Sequence, residues 1–470
     1  MTTVTQPPPT GKTNFHDTLA PFIQQDGLPF ADVLPAAAVE QAFRDCDGLF
    51  ATDSIFSTPV VLWAFLAQAL RDGKGAACAA AVADIAVYTQ QTGRPVPSGD
   101  TGDYCRARAK LNPSALRTLA VQVAGQLERQ GDPSWFWHGL HPKLIDGFTF
   151  TMPDTPENQR DFPQQTSQRP GAGFPIARAC VILSLATAAI HNLTFGPYQG
   201  KRTGESALLR DMLDSLTDGD VAVFDRCFCS FPMLAILRLR DVHFCTRLHQ
   251  RRRADFRRGR RLGPGDHLVT WTRPKRPEWM SQEQYAQIPE TLTLREVRFQ
   301  VTQPGRRTET LVVVTSLTDP NIYTKEDIAE LYGYRWNSEL DIRDIKQTLG
   351  LDHVRCKTPK MVRREVWVTL LAYNLIRKLI ATAATVHRKQ PRHMGFTLAC
   401  QTVLSSWMLL ATGACRDERQ LWHLALERIA ANEVANRPGR IEPRVIKRSR
   451  HHYPLMHDSR HTLQRRLLST

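Results

Sequence analysis

The spacing of apolar residues divides the chain into zones. Up to about residue 130 the pattern is helical. PVVLWAFLAQAL is apolar around most of its circumference, which predicts a buried helix. AACAAAVADIAVYTQQTG predicts a second helix, and SGDTGDYCRARAKLNPSALRTLAVQVAGQLERQG a turn followed by a third and fourth. At His141 the period changes from helix to strand. In HPKLIDGFTFTMPDTPENQ, Leu144, Asp146, Phe148, Phe150 and Met152 share one face. PIARACVILSLATAAIHNLTFG predicts two more strands, GESALLRDMLDSLT a helix, and 221–224 a short apolar strand. VHFCTRL, HLVTWT, TLTLREVRFQV and TETLVVVTSLTD alternate and are β-branched, as strands are.

Helical spacing returns at 324–350, TKEDIAELYGYRWNSELDIRDIKQTLG. Thr324 and Asp327 suit a capping box, and Gly350 suits a C-cap. One helix over this stretch would run roughly 37 Å at about 1.5 Å per residue. MVRREVWVTLLAYNLIRKLIATAATVH predicts a long helix packed on the sheet, followed by helices at 398–410 and 417–431.

Two carboxylates stand out against this pattern. Asp146 lies on an otherwise apolar strand face, which costs free energy unless something pairs with it. Its rival Asp154 precedes Thr155 and Pro156 and suits a turn. Asp225 stands just past a buried strand, where open sheets place ligand groups. Four more polar residues, Tyr332, Arg335, Glu339 and Lys346, fall within roughly a 60° arc of the expected helix. An ordinary solvated Arg335–Glu339 pair four residues apart explains part of that stripe equally well.

Composition narrows the partner. The chain has 470 residues, room for two or three domains, with 61 Lys and Arg against 46 Asp and Glu. A net charge of +15 and a pI near 9.6 favour a polyanion. No apolar run reads as a membrane-spanning helix, and the Pro-rich start, 1–16, reads as a disordered leader without a signal-peptide core. The ten cysteines are scattered, and His243, Cys245 and His249 lack the second half of a zinc site, so free thiols are expected. Seven arginines fall between 251 and 261, including Arg251, Arg252, Arg253, Arg257 and Arg258, and suit a phosphate-contacting loop.

The spacing Tyr332, Arg335, Glu339, Lys346, with its flank ELYGYRWNSELDIRDIKQTLGLD, resembles the Y-R-E-K signature of bacterial insertion-sequence transposases of the IS-four family, in the DDE class. The Asp225–Arg226 pair and the strand carrying Asp146 are also similar to that family. The resemblance implies an α/β fold: an RNase H-like catalytic domain (mixed sheet with flanking helices) at 136–230 and 320–435, interrupted by a β-rich insertion at 231–319. A helical DNA-binding domain would occupy 17–135, where Arg106, Arg108 and Lys110 form a basic cluster, and a basic tail 436–470.

The resemblance further implies that Asp146, Asp225 and Glu339 are catalytic and hold two Mg²⁺ ions, with Mn²⁺ as a substitute. Tyr332, Arg335, Lys346 and Arg226 would contact DNA phosphates, and Trp271, Trp279 or Trp336 would stack on an extruded base. The partner would be double-stranded DNA, both terminal inverted repeats and target, held by a homodimer in the bacterial cytoplasm at the nucleoid. The activity would be strand cleavage and joining of 3′ ends to target DNA. The rival readings are an RNase H-like nuclease that only hydrolyses DNA, and a non-catalytic DNA-binding relative.

Overall fold

The computed structural model describes residues 41–46, 54–301, 309–411, 417–434, 456 and 458–469. The leader at 1–16 and most of the tail lie outside the described residues. Two compact units are present: Met1–Trp135 with Ala186–His191 and Asp341–Val434, and Phe136–Leu185 with Asn192–Leu340 and Ala435–Thr470.

The second unit is built on a nine-stranded sheet. Its strands are β1 His141–Thr151, β2 Ile176–Ser184, β3 Ile190–Pro197, β4 Asp220–Phe224, β5 His243–Arg247, β6 Arg260–Gly263, β7 Asp266–Thr272, β8 Thr291–Val301 and β9 Glu309–Thr315. The spatial order is β3-β2-β1-β4-β5-β9-β8-β7-β6. β1 pairs antiparallel with β2 but parallel with β4, and β4 parallel with β5. The sheet is therefore mixed, and β4 is apolar on both faces because both are covered. Ile145, Ile182, Phe224, Phe244, Leu234 and Leu294 belong to one buried cluster against it.

Several expectations change here. The strands expected in the β-rich insertion, 231–319, continue the catalytic sheet through the β5–β9 pairing. β5 itself pairs with β4, inside the parallel core. β6 was not expected, because two of its four residues are the last arginines of the basic run. The helix expected after β3 is a single turn and a half, Glu205–Arg210, followed by a 3₁₀ turn, Leu213–Ser215.

The stretch 324–350 is not one helix. Lys325–Gly333 ends where tight i→i+3 bonds take over: Arg335 to Tyr332, Asn337 to Tyr334 and Ser338 to Arg335. Trp336–Arg343 then runs into a π turn, Asp344–Thr348, in which the Leu349 N–H reaches the Asp344 carbonyl at 3.2 Å. A tightened turn followed by a widened one rotates the side chains away from the arc that a regular helix would give, and π turns are frequent at functional sites.

In the first unit the long helix Pro359–His387 packs mainly on Thr58–Leu70, Pro113–Arg129 and Glu418–Ala431, and meets the sheet at the start of β3. It is the one described helix long and apolar enough to cross a membrane, contrary to the sequence reading, but 89% of that window is buried in the protein. Its Asn374 side chain binds both backbone groups of Ile190 (2.8 and 2.9 Å) and the Ala120 carbonyl at 2.8 Å. Arg108, expected in a DNA-facing cluster, instead stacks on Phe65 with 4.6 Å from its guanidinium carbon to the ring centroid.

Candidate active site at the strand ends

The parallel register sets Ile145 beside Phe224, so the next residues, Asp146 and Asp225, leave the two central strands side by side. Both carboxylates are half-buried. Asp146 takes the Gly147 N–H at 2.9 Å and the Ser338 hydroxyl at 2.8 Å. Asp225 caps the 3₁₀ turn Arg226–Phe228, accepting the Arg226 N–H at 2.7 Å.

Glu339 comes from the helix Trp336–Arg343 and is about half exposed. Arg335, one helical turn earlier, joins it to the strand acids: its guanidinium lies 3.1 Å from Glu339 and 3.5 Å from Asp146. The charge of Arg335 is thus engaged by two of the three acids. The acids do not form a ready cage, since no three Asp, Glu, His or Cys side chains among the described residues stand close enough to hold one metal ion. Like charges without a cation repel, and a guanidinium between them is the arrangement that relieves this.

Tyr332 is buried. Burial pushes its phenol well above the usual value, with nearby Arg335 acting the other way and Asp225 adding to the rise. It is held as a neutral hydroxyl beside the site. Lys346, on the π turn, belongs to the first unit and pairs with Asp352 at 2.8 Å.

The remaining candidates separate by exposure. Arg251, Arg252, Arg253, Arg257 and Arg258 are exposed, although Arg257 and Arg258 share Asp255 and Arg252 lies 3.8 Å over the Trp271 ring. Arg226 is half-buried. Trp271 cannot serve as a stacking platform: it is 5% exposed, its indole N–H donates to Glu296, and Arg252 covers its face. Trp279 is half-buried under Arg210, and Trp336 is open, 48% exposed beside Arg335. Sequence reasoning missed Ser338, which orients Asp146, and Glu205, whose electrostatic neighbours include Asp146 and Asp225. Ser338 lies one residue before Glu339 inside the signature, a signal that was available. Glu205 had none, because nothing in its local pattern points toward the strand ends.

By donor type, though not by spacing in this structure, the acids suit a divalent cation. Three carboxylates supply hard oxygen ligands, each partly exposed, and Asp225 and Glu339 keep an oxygen with no donor among the described residues. Two acids at neighbouring strand ends of a mixed sheet and a third on a helix beside them are a donor set suited to phosphodiester chemistry.

The comparisons make that class specific. The chain belongs to the transposase DDE domain family, whose model matches residues 141–375. It is similar to the transposase InsG for insertion sequence element IS4 of Escherichia coli (strain K12), 29% identical over 357 residues, covering 74% of this chain and 77% of that one. The putative transposase InsZ of the same organism is 31% identical over 133 residues, 28% of this chain and 44% of its own. A solved piggyBac transposase synaptic complex with hairpin DNA overlaps loosely, with a TM-score of 0.42 at 11% identity over 90% of this chain and 87% of that one. The expectation of an IS-four type DDE transposase is borne out: the chain is a DNA-cleaving, strand-transferring enzyme of a family that uses divalent metal ions.

Proposed function

We propose that this transposase binds the terminal inverted repeats of its own insertion sequence, cleaves the strands there and joins the 3′ ends to target DNA at one RNase H-like site. The observation that carries this reading is the β1–β4 register, which sets Asp146 and Asp225 side by side, with Glu339 tied to Asp146 through Arg335. Asp146, Asp225 and Glu339 would hold Mg²⁺ or Mn²⁺, which would supply Lewis-acid chemistry to the phosphodiester.

The chain's own groups do the positioning. Ser338 fixes the Asp146 carboxylate, and the Arg226 N–H fixes Asp225. Arg335, which bridges Asp146 and Glu339, would turn its fork to a phosphate. Tyr332, neutral and buried beside the site, would donate its hydroxyl to a phosphate near the cut. Lys346 would hold another phosphate as a point charge, and the exposed arginines of 251–261 would contact the backbone without reading sequence. Trp336 is the best-exposed candidate for stacking on a displaced base. Two chains would hold the two ends of the element.

The test is a cleavage and joining assay with end DNA, target DNA and Mg²⁺. A transposase joins the 3′ ends to target. Hydrolysis with no joined product in any condition would leave only a nuclease.

A further inference from the structure

The π turn Asp344–Thr348 is gripped from both ends inside the first unit. A π turn is rarer than the α-helix it interrupts, so something must hold it. Downstream the cause is local. Gly350 takes a φ of 69°, and the Leu351 N–H reaches the Ile345 carbonyl at 3.2 Å, a Schellman closure. Lys346, the middle residue of the turn, ties to the same end: its carbonyl takes the Asp352 N–H at 3.2 Å and its ammonium meets the Asp352 carboxylate at 2.8 Å.

Upstream the cause is the long helix Pro359–His387. Its Arg377 is buried, with the guanidinium carbon 5.0 Å from the Tyr373 ring centroid and 4.8 Å from that of Phe396. Nε donates to the Tyr373 hydroxyl at 2.9 Å. Nη2 turns to two acids three residues apart, Asp341 at 3.5 Å and Asp344 at 3.3 Å. Asp341 is closed by the fork of Arg392 at 3.1 and 2.9 Å. Asp344, which opens the π turn, is half-buried, and burial raises its pKa while Arg377 opposes the rise.

Two acids and two guanidiniums taken out of water are a weak source of net stability, because apolar side chains of similar volume often do as well. Such a network can instead discriminate between two packings. Here the two packings are a π turn and an uninterrupted α-helix. They differ by one residue of register, which turns the later side chains by about 100°.

We propose that Arg377, acting through Asp344, is a positioning residue that selects the π register and so aims Lys346 at the DNA phosphate it would hold. The proposal rests on reading Lys346 as a phosphate contact, and its test separates the two. Binding of the full-length chain to a fluorescent duplex of the element's end is followed by anisotropy over a salt series, without divalent metal. Each phosphate contact contributes about 0.9 to the slope of log affinity against log salt.

Lys346→Ala is expected to lower that slope by about 0.9. Asp344→Asn is expected to lower it too and to weaken binding, although removing a negative charge from a basic chain would by itself tighten it. Asp344→Ala repeats the test without an amide that could still accept from Arg377. The double variant, Asp344→Asn with Lys346→Ala, should match Lys346→Ala alone. A loss of stability without a register change would leave the slope where it was. A wild-type slope in both Asp344 variants, or a double variant whose loss is the sum of the two singles, overturns the positioning role and leaves Lys346 as a phosphate contact. A wild-type slope in Lys346→Ala overturns the phosphate contact and the positioning role with it.

Discussion

Two acid clusters sit on one sheet and are built in opposite ways. At the β7–β8 end, Asp266 is buried and both its oxygens meet the Arg295 fork; next to it, Glu296 takes His267 at 2.9 Å on one oxygen and the Trp271 indole at 3.2 Å on the other. At the β1–β4 end, Asp146 and Glu339 share one guanidinium at 3.5 and 3.1 Å, and Asp225 is held by a single backbone N–H. In the first cluster every carboxylate oxygen has a donor and both acids are buried. The second is partly open and has oxygens to spare. Saturation with burial marks an acid that holds the fold together, and residual capacity with exposure marks one that awaits a ligand.

The largest expected effect tests the open cluster. Asp146→Asn, Asp225→Asn and Glu339→Gln should each lower Mg²⁺-dependent strand cleavage by on the order of a thousandfold, the equivalent of several kcal/mol of lost transition-state stabilisation. None should lower the unfolding temperature without metal, because each removes one of several crowded negative charges. A variant that keeps near-normal cleavage removes its residue from the site. One that unfolds moves its residue into the structural class.

The closed cluster should behave in reverse. Arg295→Met leaves Asp266 buried without its partner and should cost about 3–5 kcal/mol in urea unfolding. The double variant with Asp266→Leu should recover much of that loss, since a well-packed apolar pair often replaces a buried ion pair without penalty. If the single change is tolerated within experimental error, burial is a poor guide to role in this sheet.

The tryptophans repeat the contrast on a smaller scale. Trp271→Phe strips Glu296 of a buried donor and should cost about 1–3 kcal/mol of stability. Trp336→Ala should change stability by no more than about 0.5 kcal/mol, as open surface positions do, yet weaken capture of end DNA by about 1–3 kcal/mol if a base stacks there. Equal stability losses in the two variants would erase the distinction between them.

How much of this was legible in the sequence depends on the kind of signal. Alternation placed β1, and the two-strand reading of 176–197 was correct, because period and β-branching are local. The pairing of Asp146 with Asp225 followed from strand ends and the family signature. The helix break at 333–336 was not legible: Gly333 is a weak breaker, and the following i→i+3 turn depends on tertiary packing. β6 was hidden because arginines at an exposed sheet edge look like a charged loop. The continuity of the insertion strands with the central sheet was also hidden, since β5 and β9 lie 61 residues apart between Arg247 and Glu309 and sequence alone does not pair them. The grouping of Pro359–His387 with the N-terminal helices has the same cause: an apolar stripe says that a face is buried, not what buries it.

The smallest expected effect concerns an element that serves the open cluster without belonging to it. The Thr324 hydroxyl accepts the Asp327 N–H at 3.1 Å, and Asp327 in turn accepts the Thr324 N–H at 2.8 Å, so a capping box starts the helix that carries Tyr332. Thr324→Ala should cost about 1 kcal/mol. The Thr324 side chain is the largest influence holding the Asp327 carboxyl below its usual value. A carboxyl depressed in the folded state contributes stability above its unfolded pKa, and that contribution is lost as pH falls through the folded value. The variant's deficit should therefore be present at neutral pH and shrink on acidification, read as converging unfolding temperatures of the two proteins. A deficit that stays constant with pH would assign the cap's worth to the Thr324 hydroxyl's bond to the backbone alone. A loss of cleavage larger than the loss of stability would show instead that the start of this helix sets the position of Tyr332, drawing an ordinary surface cap into the working half of the comparison.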